Sequence, residues 1–113
     1  MRRTSLSRRS LLAAAAFAAF LPLAGALAAP FESTRITVRT EGSGPDVVLI
    51  PGLNSSPRAW ASTVAALPGY RYHLVQVSGF AGQPVGGNTE GRVAAPVADE
   101  IARYIKETGL KQP

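Results

Sequence analysis

The 113-residue sequence contains no cysteine and only one histidine, His73. Without cysteine the chain can form no disulfide, no thiolate metal site and no thiol nucleophile. A zinc site would have to be built from a single histidine and carboxylates, so we expect no bound metal. The scarce residue types therefore exclude several kinds of chemistry.

Acidic residues are absent from the first 28 positions, and this absence distorts the charge of the whole chain. Four of the 12 Lys and Arg residues lie there, which leaves eight basic and seven acidic residues in positions 29–113. The net charge of +5 thus belongs mainly to the first segment. Because the remainder has no basic stripe, we expect no binding to nucleic acid.

Residues 1–28 have the pattern of an export signal. A positive start is followed by an apolar stretch over residues 11–23, and Ala26 and Ala28 supply small residues before a cut that would leave Ala29 first. Arg8 and Arg9, within Ser-Arg-Arg-Ser-Leu-Leu, resemble the twin-arginine motif. We predict an exported protein, periplasmic or extracellular, that meets the membrane only in passing and has the export translocon and signal peptidase as partners.

Two alternatives to twin-arginine export stay open. General secretion uses a signal of the same order. An uncleaved anchor would need about 20 apolar residues to span the bilayer. Residues 11–29 approach that length, although Pro22 and Gly25 interrupt them.

Three strands are predicted in residues 29–113. Thr34–Thr40 alternates between apolar and polar residues, which indicates a half-buried strand. A dense turn signal over residues 41–46 favours a hairpin loop. Val47–Ile50 and Tyr72–Val77 are continuous apolar runs, typical of strands buried in a parallel sheet.

Two helices separate and follow these strands. Ser56 is a suitable N-cap and Pro57 a suitable first helical residue. The second helix is predicted over Ala95–Thr108, with Gly109 ending it. The buried stripes are Trp60, Val64 and Leu67 in the first helix, and Val97, Ile101, Tyr104 and Ile105 in the second.

In this order the elements of Thr34–Pro113 resemble the start of an α/β-hydrolase domain of the serine hydrolase type. The expected fold class is α/β: a hairpin strand and two parallel strands with one helix on each face. Such domains carry Gly-x-Ser-x-Gly on the strand after the second helix. The sequence contains no such pentapeptide. The expected organisation is an export signal at 1–28 and, at 29–113, the N-terminal part of a hydrolase domain that ends before the nucleophile strand.

The resemblance implies a role for the turn after the first interior strand. Pro51-Gly52-Leu53 matches the position of the oxyanion-hole turn, and the implied donor is the backbone N–H of Leu53. Asn54 and Phe80 are expected at the pocket rim. For the loop that holds Phe80, a flexible connector is an equally good interpretation. The complete parent would hydrolyse a small ester or other acyl compound without metal or organic cofactor.

No residue of this chain is predicted to be catalytic. His73 begins a strand at the wrong end of the sheet for a base, and we interpret it as a structural or surface residue. Asp46 in a turn and Asp99 on a helix have no Ser–His pair to orient. We therefore expect no esterase activity from the chain alone, marginal stability, and an exposed apolar strand edge prone to aggregation.

Two alternative functions would not need a nucleophile in this chain. A non-catalytic binding module would use the exposed edge or the glycine-rich loop, and a two-chain hydrolase would take Ser, Asp and His from a second polypeptide. We expect no dinucleotide binding by Gly79–Gly91, because the glycine spacing is not G-x-G-x-x-G and Pro84 interrupts the loop.

Overall fold

A computed structural model describes residues 29–113, and the predicted signal with Arg8 and Arg9 lies outside the described residues. The elements are β1 (Ile36–Gly42), β2 (Asp46–Leu49), a 3₁₀ turn (Pro57–Trp60) that runs into α1 (Ala61–Ala66), β3 (Arg71–Val77) and α2 (Ala94–Glu107). Their order confirms the predicted strand and helix sequence to within two residues at most ends. In this range no helix has the length and apolar character needed to cross a bilayer.

The three strands form one mixed sheet in the order β1-β3-β2. β2 runs parallel to β3, as predicted, and in the observed register Val48 lies opposite His73. β1 is antiparallel to β3, with Val38 opposite Val75.

The hairpin predicted between β1 and β2 is wrong, because β3 lies between them. Gly42 and Gly44, both at positive φ, pass directly under the backbone of Gly69 and Tyr70. The N–H of Arg71 then donates to the carbonyl of Pro45 at 2.9 Å. The turn signal marks a connection across the start of β3 rather than a tight hairpin.

One helix packs on each face of the sheet. The hydroxyl of Tyr72 donates to the carbonyl of Leu67 at the end of α1. The next residue, His73, contacts Tyr104 of α2. Neighbouring residues of a strand point to opposite faces, so the two helices cover opposite sides as predicted.

The main core lies between the sheet and α2. The predicted α2 stripe is confirmed, since Val97, Ile101 and Tyr104 are buried. The core cluster consists of Ile36, Val75, Val77, Val97 and Ile101.

The stripe predicted for α1 is only half correct. Trp60 and Val64 are half-buried, but Leu67 is 53% exposed. The helix ends at Ala66, and Leu67 adopts φ −122°, which takes its side chain off the helical face. α1 therefore contributes less burial than α2.

Both predicted helix ends are confirmed by their geometry. The side chain of Ser56 accepts a hydrogen bond from the N–H of Arg58 at 3.3 Å, and Pro57 follows it. Gly109 adopts φ +72°, and the N–H of Leu110 reaches back to the carbonyl of Ile105 at 3.0 Å. This is the left-handed C-terminal cap that glycine favours.

Candidate functional site

The candidate site begins where β2 ends. Pro51 is buried, whereas Ile50 and Leu53 are each 48% exposed. The N–H of Ser55 donates to the carbonyl of Gly52 at 2.9 Å, which closes a tight turn. An added Cβ at Gly52 would meet no described atom within 4 Å, so one side of the turn is open.

The N–H of Leu53 has no hydrogen-bond partner among residues 29–113. Asn54 beside it is exposed. A free amide at the carboxyl end of a parallel strand is available to an external acceptor, because parallel strands bring their functional loops to that end of the sheet. Leu53 and Asn54 thus lie on one accessible turn.

An apolar groove of about 310 Å³ adjoins this turn. Leu53 borders it from the loop, Val77 from the end of β3, and α2 forms the opposite wall. Its lining is Ile50, Pro51, Leu53, Val77, Ala94, Val97, Ala98 and Ile101. β2, the strand that ends just before Ile50, is half-buried over its whole length, and its second edge has no partner strand in the described range.

Phe80 lies farther into the molecule than Leu53 and Asn54. Its partly buried ring packs against the core cluster. The loop that carries it is tied to β1 through buried Asn88, whose side-chain N–H₂ donates to the carbonyls of Arg35 at 3.0 Å and Ser78 at 2.9 Å. Sequence reasoning missed Asn88, because a loop asparagine gives no sign of a bond 53 positions away.

His73 is completely buried in a hydrogen-bonded cluster. Its Nδ1 lies 2.7 Å from the hydroxyl of Tyr104, and its Nε2 lies 2.7 Å from Oδ1 of Asp46. The structural role is confirmed and the surface alternative is wrong. Asp46 is the first residue of β2 rather than part of a turn.

The parallel register could have revealed this pair. Val48 lies opposite His73, so Asp46, two residues earlier, projects from the same face. His73 and Asp46 sit near the amino ends of β3 and β2, whereas Leu53 follows the carboxyl end of β2. The cluster and the turn are therefore at opposite ends of the sheet, and Asp99 is exposed on α2.

The electrostatics of the cluster favour a neutral phenol. Burial raises the pKa of Tyr104; Arg71 lowers this pKa and Asp46 raises it. Nε of Arg71 also lies 3.8 Å from Oδ1 of Asp46. Tyr104 thus stays protonated and available for the hydrogen bond to His73. Across residues 29–113, His, Asp and Glu form no group of three that could hold a metal ion.

Comparison with known proteins indicates a hydrolase-related chain with a partial α/β fold. The similarity is to pimeloyl-[acyl-carrier protein] methyl ester esterase of Aeromonas hydrophila, an α/β-hydrolase, at 36% identity over 74 residues. The match covers 64% of this chain but only 28% of the esterase. No family model matches the chain. No solved structure matches it.

Proposed function

We propose that residues 29–113 form the N-terminal segment of an exported α/β-hydrolase that cleaves ester or other acyl bonds. The observation that carries the proposal is the free N–H of Leu53, at the carboxyl end of β2, in a chain similar to an esterase. Export follows from the signal pattern of residues 1–28. No metal or organic cofactor takes part in the proposed reaction.

The proposed role of the segment is to stabilise negative charge. When a nucleophile attacks an ester carbonyl, the oxygen becomes an oxyanion, and the N–H of Leu53 donates a hydrogen bond to it. One such preorganised donor contributes about 3 kcal/mol to transition-state binding. The open side of Gly52 leaves room for the carbonyl to approach.

The attacking group and its base must come from residues beyond this segment. The sequence has no Gly-x-Ser-x-Gly, and both nitrogens of His73 are already bonded in a fully buried position. Within residues 29–113 the second edge of β2 has no partner strand, and this edge together with the apolar groove at Ile50 is suited to a further parallel strand, which would carry the nucleophile. Alone, the chain is therefore inactive in this proposal.

The proposed substrate class is a small ester or other acyl compound. The similar protein is named for a methyl ester on an acyl-carrier protein. The shared chemistry is the ester carbonyl, which is the part of the substrate that the Leu53 amide would meet.

A chimera tests the oxyanion role. The matched segment of the Aeromonas esterase is replaced by the corresponding residues of this chain, and hydrolysis of a p-nitrophenyl ester is measured. Leu53→Pro removes the N–H and is expected to lower kcat 100- to 1000-fold with little change in KM. Leu53→Ala keeps the N–H and is expected to retain activity to within about threefold.

Two results would contradict the proposal. One is equal activity of the Leu53→Pro and Leu53→Ala chimeras at equal thermal stability. The other is labelling of a serine in the purified 113-residue chain by a fluorophosphonate probe, since that would show that the chain holds its own nucleophile.

A further inference from the structure

A four-residue segment shortly before β1, the N-terminal strap (Pro30–Ser33), lies against α2. The ring of Phe31 meets the ring of Tyr104 edge-on, with centroids 5.0 Å apart. The guanidinium of Arg103 lies 4.4 Å from the centroid of Phe31, a cation–π contact. The strap is thus held by two successive residues of one helix.

Arg103 adds a polar bond to these ring contacts. Its Nη2 donates to the carbonyl of Glu32 at 2.6 Å. Two ion pairs fix the position of Arg103 itself. Its Nη2 lies 2.7 Å from Oε2 of Glu100, and its Nη1 lies 2.9 Å from Oε1 of Glu107. A guanidinium with two carboxylate partners is pre-oriented, so little side-chain entropy is lost on holding the strap.

The strap also continues rigidly into the sheet. The hydroxyl of Ser33 accepts hydrogen bonds from the N–H groups of Arg35 at 3.0 Å and Ile36 at 3.3 Å. Ile36 is the buried first residue of β1. The chain is therefore anchored without interruption from Phe31 into the core.

The predicted export cut falls next to this anchor. Between the Ala28–Ala29 bond and Phe31 lie only Ala29 and Pro30, which span about 7 Å when fully extended. Pro30 has a fixed φ and limits the paths available to these residues. A protease that binds its substrate as an extended strand needs the backbone on both sides of the cut. The folded domain and the protease compete for the same residues.

We propose that the strap is a processing latch: the export signal can be removed from the folded domain only when Phe31 and Glu32 detach from Tyr104 and Arg103. The inference rests on the export part of the proposed function. Arg103 then controls the rate of cleavage although it is 71 positions from Glu32 in the chain. Substitution of Arg103 leaves the sequence around the cut unchanged.

The test measures cleavage of the folded 113-residue chain by purified bacterial signal peptidase in detergent. The wild-type chain is compared with Arg103→Gln and with a peptide of residues 1–40, which has the cut site but no α2. We expect Arg103→Gln to be cut about three- to tenfold faster than the wild type, because each lost bond raises the open fraction by several-fold. The peptide should be cut fastest.

Two controls separate the latch from other causes. Lys106→Gln removes a charge from the same helix without a strap contact and should leave the rate unchanged. Leu74→Ala destabilises the core on the opposite face of β3, where Leu74 is buried, and Leu74 is not part of the cluster against which Phe31 packs. It should accelerate cleavage less than Arg103→Gln does.

Equal rates for the wild type and Arg103→Gln, or an equal acceleration by Leu74→Ala, would overturn the latch. Failure of the enzyme to cut the free peptide at residue 28 would overturn both the latch and the predicted signal. That outcome would leave the oxyanion role untouched, since the chimera tests it separately.

Discussion

At the scale of residues, His73 joins three elements that are distant in sequence. Its ring is bonded to Asp46 at the start of β2 and to Tyr104 in α2, while its backbone belongs to β3. A buried polar ring is stable only when its nitrogens have partners. Loss of either partner should therefore lower the free energy of unfolding by more than the loss of one surface hydrogen bond would.

Tyr104→Phe tests this cluster. The change keeps the aromatic ring but leaves Nδ1 of His73 buried without a partner, and we expect the free energy of unfolding to fall by about 1–3 kcal/mol. Urea denaturation followed by circular dichroism measures the loss. Tyr70→Phe is the matched control, because Tyr70 is 40% exposed and should change stability by less than about 0.5 kcal/mol. Equal effects of both substitutions would contradict this account of the cluster.

Two glycines offer a clean test of backbone conformation. Gly109 adopts φ +72° with no atom within 4 Å of an added Cβ, whereas Gly91 is equally open but does not have a positive φ. Gly109→Ala should lower stability by about 1 kcal/mol, because an L-residue is strained there. Gly91→Ala should be neutral or slightly stabilising. Thermal denaturation of both variants compares them, and a neutral Gly109→Ala would argue against the left-handed cap.

At the scale of elements, α2 carries a charge cluster whose effect depends on pH. The hydrogen bond from Arg103 lowers the pKa of Glu100 below its ordinary value, with a further contribution from Ser33. A carboxylate whose pKa is lower in the folded state stabilises the fold above its unfolded pKa. That contribution disappears as the pH falls through the folded value.

Glu100→Gln is expected to weaken this pH dependence. Between neutral pH and about pH 3 the wild type should lose more stability than the variant, because the variant has no carboxylate to protonate at this position. Urea denaturation at several pH values measures the difference. Glu90→Gln, at an exposed loop position, should keep the wild-type profile. Parallel profiles for the wild type and Glu100→Gln would contradict the role of the Arg103 bond.

Much of each element could be predicted because the signals are local. The period-two pattern before Gly42, the Ser56 cap and the helical stripe of α2 each depend on neighbours within a few residues. The order of the strands depends on which segments meet over long distances. No local pattern states that β3 lies between β1 and β2.

The candidate site likewise has features that local sequence predicts and features that depend on long-range contacts. The turn at Leu53 was found because a strand end and a Pro-Gly pair are readable in sequence. The bonds of His73 to Asp46 and Tyr104 span 27 and 31 positions, so they were not readable without the register of the sheet. The exposure of Leu67 was missed because it depends on a single residue that leaves the helical conformation.

At the scale of the whole molecule, the exposed apolar residues include two that follow β2, Ile50 and Leu53. Ile50 is 48% exposed at the end of a strand whose second edge has no partner in the described range. An unpaired apolar edge favours association between chains. Purified chain at micromolar concentration is therefore expected to aggregate.

Ile50→Lys should reduce this association. A lysine at the edge opposes strand pairing between molecules, and light scattering at increasing concentration measures the change. Leu67→Lys is the matched control, since Leu67 is 53% exposed but follows the end of α1 rather than β2. Equal gains in solubility from both substitutions would point to net charge rather than the β2 edge.

The order β1-β3-β2 also has a consequence for synthesis on the ribosome. Both outer strands precede the middle strand in the chain, and in residues 29–113 each pairs with β3 alone. No pair of these strands can form before β3, which begins at Arg71, has started to leave the exit tunnel. Until then the nascent polypeptide carries two unpartnered apolar stretches, whose protection falls to whatever binds emerging chains.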